Sequence, residues 1–290
     1  MRTPARFPRR RTLAVAAAAL LSIAATAGAA GAAELKPETV AAWNAYVAAA
    51  EARIARELAE DRRFLVQDFE PASREARARL LSGDVLVSEM AAEDARGARI
   101  EVPGGMIHHW RGAIFVPGVT LDSLLARLQN PNTQGPHQED VLAVRILEKA
   151  PDHLRLFIKM TRTKIVTVTY NSEHDLRYVR HTATRASSRS ETTRIAELEN
   201  AGTPAEREKP VGADRGFLWK LNSYWRYEEV PGGVIVECES LTLSRDIPWG
   251  IKQLVSPIVN RIARQSMGRT LGNLAKTHAA PAAATEDFNR

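Results

Sequence analysis

The sequence predicts an α+β protein in which an antiparallel β-sheet curves around a long C-terminal helix. Three observations carry this reading. Strand-like runs follow one another from Val141 to about Leu198. Two more runs, Phe217 to Glu229 and Gly233 to Ser244, are joined by Val230-Pro231-Gly232-Gly233, where glycine supplies the positive φ of a tight connection. A long amphipathic segment follows at once, opened by Asp246-Ile247-Pro248. Its residues Ile251, Leu254, Ile258 and Ile262 recur at three or four positions and so share one helical face.

Pro37 to about Phe64 reads as a helix, with Pro37 suited to a first turn and Val40, Trp43, Val47, Ile54 and Leu58 on one stripe. Phe69-Glu70-Pro71 breaks it, and a charged helix runs from Ala72 to Leu81, ending at Ser82-Gly83. Asp84 to Met90 reads as a short strand, Ala91 to Arg99 as a turn region, and Arg99 to Val102 and Met106 to Val116 as strands. Thr120 to Leu128 is a short helix and Asn130 to Gln138 a loop by composition.

Within the strand-rich region, Leu154, Leu156, Ile158 and Met160 alternate with Arg155, Phe157 and Lys159. Val166, Val168 and Tyr170 alternate with threonines, and Asn171-Ser172 reads as a turn. Leu176 to Thr182 and Ala186 to Ala196 are rich in Arg, Ser and Thr, as expected of a sheet with one face in water. Asn200 to Asp214 reads as a mobile loop and Ala279 to Arg290 as a disordered tail.

The chain has 290 residues, 44% hydrophobic and 26% charged, enough for one large domain with a core of its own. Its net charge of +6 is concentrated at the start, where Arg2, Arg6, Arg9, Arg10 and Arg11 stand without an acid. An alanine-rich apolar run follows from Leu13 to about Ala27, then small residues to Ala33. This is the pattern of an export signal over residues 1–33, too short and alanine-rich for a membrane span. Arg10-Arg11 also allows a twin-arginine signal, and an uncleaved N-terminal anchor is the alternative. Without those arginines the balance is 35 basic to 34 acidic residues, which removes the electrostatic case for nucleic acid. Cys238 is the sole cysteine, so no internal disulfide forms, and a buried inert thiol is expected.

No HExxH, CxxC, GxSxG, P-loop or strand-linked GxGxxG is present, so metalloprotease, hydrolase, kinase and dehydrogenase chemistry lose their usual support. His108 and His109 are adjacent strand residues pointing to opposite faces, so they do not ligate one metal; one is expected to be hydrogen-bonded at a cavity rim. Neither a metal nor a cofactor is expected. Phe217, Trp219, Leu221, Ser223, Trp225 and Tyr227 form one period-2 face, as core or as cavity wall. In the next strand Val234, Val236 and Cys238 oppose Ile235, Glu237, Glu239, Leu241 and Leu243. The first set is expected inside, with a bulge before Leu241. If the glutamates point inward, they need arginine partners, of which Arg177, Arg180 and Arg189 are the candidates on neighbouring strands. Ser256-Pro257 is expected to kink or restart the C-terminal helix.

Three segments carry a family resemblance. They are Gly105-Met106-Ile107-His108-His109-Trp110-Arg111-Gly112-Ala113-Ile114-Phe115-Val116-Pro117-Gly118, Phe217 to Glu228 (FLWKLNSYWRYE), and Gly232 to Trp249 (GGVIVECESLTLSRDIPW) with its helix. In element order the sequence resembles the helix-grip fold of the START and Bet v 1-like superfamily, also called SRPBCC. It is most similar to START-like proteins that bacteria export, over roughly Pro37 to Thr277. The resemblance implies one START-like domain over residues 34–277, then the tail over 278–290. It also implies a hydrophobic cavity between sheet and long helix that takes lipids, sterols, polyketides or similar molecules. It supplies no universal catalytic residue.

The expected function is therefore that of an exported, periplasmic or secreted protein holding a hydrophobic small molecule or lipid, with transient membrane contact and no nucleic acid. The residues expected to line the cavity are His109, Trp110, Phe115, Tyr170, Phe217, Trp219, Leu221, Trp225, Tyr227, Ile251, Leu254 and Ile258. One alternative is a cavity enzyme of the polyketide cyclase or aromatase type. The other is an envelope interaction protein whose cavity is filled by side chains.

Overall fold

The structure is a computed structural model that describes residues 34–131, 140–163, 167–246 and 249–278. In chain order it comprises α1 (Pro37–Leu58), a 3-10 turn (Val66–Phe69), α2 (Ser73–Leu81), β1 (Leu86–Glu89), β2 (Gly105–Pro117) and α3 (Leu121–Leu128). Strands β3 (Val141–Lys149), β4 (His153–Thr163), β5 (Thr167–Arg180), β6 (Arg185–Glu199) and β7 (Arg207–Glu208) follow. The chain continues through β8 (Lys220–Val230) and β9 (Gly233–Arg245) to α4 (Trp249–His278). The strands form one antiparallel sheet in the order β1-β2-β9-β8-β6-β5-β4-β3, with β7 paired to β6. Consecutive strands from β3 to β6 are neighbours, so the hairpin rhythm read in the sequence becomes the sheet directly.

Helix α4 covers the inner face. Met267, Leu271 and Leu274 pack with Trp110, Ile114, Val116, Val234, Val236, Cys238 and Tyr227 in the largest apolar cluster. Gly112 permits this contact, because a Cβ there would lie 2.6 Å from side-chain atoms of Leu271 and Met267. The side chains of Ile251, Leu254, Ile258 and Ile262 lie outside the described residues, as do the leader, Val166, most of the 130–138 loop and the tail. Helix α4 runs without interruption through Pro257, so it does not restart there.

The outer face is covered over β2, β9 and β8, whereas on β5 and β6 the outward residues Arg177, Val179, Arg189 and Glu191 are exposed, as expected of a wet face. Trp43, Tyr46, Ala50 and Ile54 of α1 pack on Tyr224, Leu241 and Leu243. Phe64, Leu65 and Leu80 pack on Ala113 and Ile235. This second layer also explains why α1 stops at Leu58 rather than Phe64. Phe64 and Leu65 turn into the sheet and are almost wholly buried, whereas the preceding residues to Arg63 have no apolar face to continue a helix.

Four further expectations need correction. Asn171 and Ser172 are not a turn but sit mid-strand, paired on both sides with Lys159 and Ile158 and with Ala196 and Ile195. Their side chains bond across strands: Ser172 Oγ donates to the Ile158 carbonyl and Asn171 Nδ2 donates to Glu208. Arg99 to Val102 forms no strand, only an isolated bridge from Arg99 to Glu93. The 200–214 loop is tied down rather than free: β7 pairs with β6, Lys159 holds Glu206 and Lys209 holds Glu197. Finally, β9 has no bulge, since its register with β2 and β8 is unbroken from Gly233 to Leu243.

Candidate functional site

The inner face is assembled from matched cross-strand positions. One row runs from Trp110 through Ser240, Ser223 and Ser190 to Leu176 and Leu154. The next holds Gly112, Cys238, Trp225, Ser188 and Tyr178. The third holds Ile114, Val236, Tyr227 and Ala186. On the other side of the serine row lie Thr192, His174 and Leu156. A band of hydroxyls therefore crosses an otherwise apolar and aromatic surface. Ser188, Ser190, Thr192 and His174 are all buried.

Hydrogen bonds fix most of these groups. The Tyr227 hydroxyl and Ser188 Oγ are 3.0 Å apart, and Trp225 Nε1 donates to Ser223 Oγ at 3.0 Å. Ser172 Oγ donates to the Ile158 carbonyl at 3.0 Å, so the contact of 2.9 Å between Ser172 Oγ and His174 Nε2 has the imidazole as donor. Burial pushes His174 down to about 4, so the ring is neutral at physiological pH. Burial likewise pushes the Tyr178 hydroxyl up to about 12 and the Cys238 thiol well above its ordinary value, leaving both protonated. Trp110 is 8% exposed, and its Nε1 is buried with no hydrogen-bond partner among the described residues.

The outer face holds a separate polar centre beneath α1. The Ala92 amide donates to the Tyr46 hydroxyl at 2.9 Å, and that hydroxyl donates to His109 Nδ1 at 2.9 Å. His109 Nε2 then donates to Glu239 Oε1 at 2.7 Å. Arg53 bridges Glu239 and Glu57, and Arg226 binds Glu57 at 2.5 Å and the Phe64 carbonyl at 2.7 Å. Glu237 accepts from the Val66 amide at 2.7 Å. Burial works against the Glu239 carboxylate, but the His109 hydrogen bond and the Arg53 charge hold it below the usual range. Glu237 lacks such close partners; burial outweighs the Arg226 and Arg111 charges and pushes it up to about 7. The two glutamates thus share the face of Leu241, as their parity required, and that face points to α1. Their arginine partners are Arg53, Arg226 and Arg111 rather than Arg177, Arg180 or Arg189.

Of the residues expected to line a cavity, the inner face brings together Trp110, Leu221, Trp225, Tyr227 and, towards the β4–β5 end, Tyr170. His109 lies on the outer face in the polar centre, and Phe115 in the outer cluster around Phe64 and Ile235. Trp219 precedes β8 and also turns outward, into the cluster of Trp43 and Tyr46, with its Nε1 bound to Asp214. Phe217 is 37% exposed between the guanidinium groups of Arg215 and Arg245. The alternation read from Phe217 onward therefore begins only at Lys220, where strand pairing starts. Ile251, Leu254 and Ile258 belong to α4, their side chains outside the described residues.

The inner hydroxyls of β6 were missed as site residues. Their signal was the alternation of Ser188, Ser190 and Thr192 with Arg189 and Glu191, which places the small polar residues on one face. Arg53 and Glu57 were missed for the outer centre. Spaced i, i+4, they look like any solvent-exposed helix pair.

An open antiparallel sheet with a C-terminal helix packed on its inner face is a helix-grip α+β architecture. No family model matches the sequence and no curated protein matches it. Solved structures do. Human STARD10 is 10% identical, matched over 73% of this chain and 80% of its own, with a TM-score of 0.42. A STAR-related lipid transfer protein from Xanthomonas axonopodis is 15% identical over 64% of this chain and 98% of its own, with a TM-score of 0.39. The di-domain ARO/CYC protein StfQ of the steffimycin biosynthetic pathway is 14% identical over 60% of this chain and 51% of its own, with a TM-score of 0.37. All three are 15% identical or less, with TM-scores below 0.5.

Proposed function

We propose that the protein is an exported binding protein that holds a hydrophobic small molecule or lipid between the inner sheet face and α4. The observation that carries this reading is the Trp110 indole N–H, buried without a partner beside a band of serines on an apolar, aromatic surface. An unsatisfied buried donor costs about 1–3 kcal/mol, which a ligand oxygen placed on it would recover. A mostly apolar surface with a few convergent polar groups is the ordinary chemistry of a small-molecule site. On this reading Leu221, Trp225, Tyr227 and Tyr170 form the sheet wall. The export half of the proposal rests on the arginine-led apolar leader.

Native mass spectrometry of protein purified from its own host is expected to show a copurified apolar molecule carrying a hydrogen-bond acceptor. Trp110→Phe keeps the aromatic wall and removes the N–H. It is expected to weaken retention of that molecule about tenfold or more, from the one hydrogen bond lost. Protein that copurifies with nothing and quenches with none of a lipid, a sterol or an aromatic polyketide would refute the reading. Conversion of the molecule on incubation would show a catalyst instead.

A further inference from the structure

The 30 residues of α4 include Lys252, Arg261, Arg264, Arg269 and Lys276 and not one aspartate or glutamate. The rest of the chain beyond the leader mixes the two signs, so this helix is set apart by its charge. Its described half is two-faced. Met267, Leu271 and Leu274 are buried against β2, while Arg261, Arg264, Gln265, Arg269 and Lys276 point away from that contact. Gln265, Gly268, Arg269, Gly272, Asn273 and Lys276 line an open depression of about 470 Å³ along this flank. The space over the two glycines is open: a Cβ at either would meet nothing within 4 Å. None of Arg261, Arg264, Arg269 or Lys276 has an acidic partner among the described residues. Arg269 even lies near enough to Arg162 to disfavour its charge.

We propose that this flank of α4 docks on a bilayer surface rich in anionic phospholipid, with a lipid phosphate seated in the depression between Arg269 and Lys276. Unpaired cations along one exposed helical flank match a plane of phosphates in sign. Arg261, Arg269 and Lys276 fall within roughly 80° of the helix circumference and span a rise of roughly 22 Å, so these three cations reach several headgroups at once. The contact is peripheral, since no helix among the described residues is long and apolar enough to cross a membrane. A duplex nucleic acid suits the surface less well: the charge is confined to one helix and no exposed aromatic is interleaved with it.

The test is flotation of the mature, full-length protein with vesicles of phosphatidylcholine alone and of phosphatidylcholine mixed with phosphatidylglycerol. Binding is expected only to the mixed vesicles and is expected to fall as salt rises. The double variant Arg269→Gln/Lys276→Gln removes two exposed charges and is expected to bind about thirtyfold more weakly, at about fivefold per cation. Equal binding to both vesicles, or an undiminished double variant of unchanged fold, would overturn the proposal. So would binding of inorganic phosphate without vesicles, or equal binding to a DNA duplex. Trp110→Phe is expected to float like the wild type, so failure of the docking surface is distinguishable from failure of the cavity reading.

Discussion

At the scale of single residues, the buried glutamates of β9 show how position overrides type. Glu237 and Glu239 lie two residues apart on one face, yet their carboxyls shift in opposite directions. The difference is close hydrogen-bonded charge. Glu239 has His109 and Arg53, whereas Glu237 has a backbone amide and more distant arginines. The consequence for stability has opposite signs. The Glu239 contribution is present above its ordinary value of 4.5 and is lost as the pH falls through its lower folded value. The folded value of Glu237 is raised from 4.5 to about 7, so its contribution is complete at low pH and is lost as the pH rises through 7. Glu237→Gln mimics the protonated acid without the titration. Thermal unfolding is expected to show it equal to wild type near pH 3 and more stable above pH 8, by on the order of 3 kcal/mol. A constant difference across that range would mean that Glu237 does not titrate in the folded protein.

At the scale of elements, two glycines set how closely backbones approach. In the β8–β9 hairpin, Gly232 takes a φ of 89°, and a Cβ on Gly233 would lie 2.2 Å from the Val116 carbonyl oxygen. Neither that oxygen nor the strand carrying it can move without breaking the β2–β9 ladder. At Gly112 the obstacles are the side-chain ends of Leu271 and Met267, which can shift. Gly233→Ala is therefore expected to cost more than Gly112→Ala, which should lie in the usual overpacking range of about 1–3 kcal/mol. Denaturant titration of both variants would check the order. Equal costs would mean that the hairpin has slack that the register does not show.

At the scale of the whole molecule, the sheet is sandwiched at its middle. Its inner face meets α4 and its outer face meets α1, the 3-10 turn and α2. This places two chemistries back to back on β9. Val234, Val236 and Cys238 face the proposed cavity, and Ile235, Glu237 and Glu239 anchor the outer layer. The layer begins at Pro37, directly after the proposed leader. Removal of the leader between about Ala30 and Glu34 would leave α1 whole. N-terminal sequencing of the exported protein is expected to begin in that window, with far-ultraviolet circular dichroism unchanged by the loss. A cytoplasmic protein with intact Met1 would overturn the export proposal.

The sequence by itself determined the α+β class, the β8–β9 hairpin, the alternation of β4, β6 and β8, and the amphipathic C-terminal helix. All of these are local: turn chemistry and side-chain period act over a few residues. The same alternation, without the bulge expected before Leu241, puts the glutamates of β9 on the face of Leu241, and carried through β6 it puts Ser188, Ser190 and Thr192 together. Only the tertiary structure decided what covers each face. Period two yields two faces but does not say which is wet, because the cover comes from distant chain. Arg53 and Glu239, joined in the outer centre, are 186 positions apart. For the same reason Trp219, just short of the first β8 pair, escaped the alternation and turned outward to Trp43 and Tyr46. Its side is set by the helix that packs there, not by its place in the repeat.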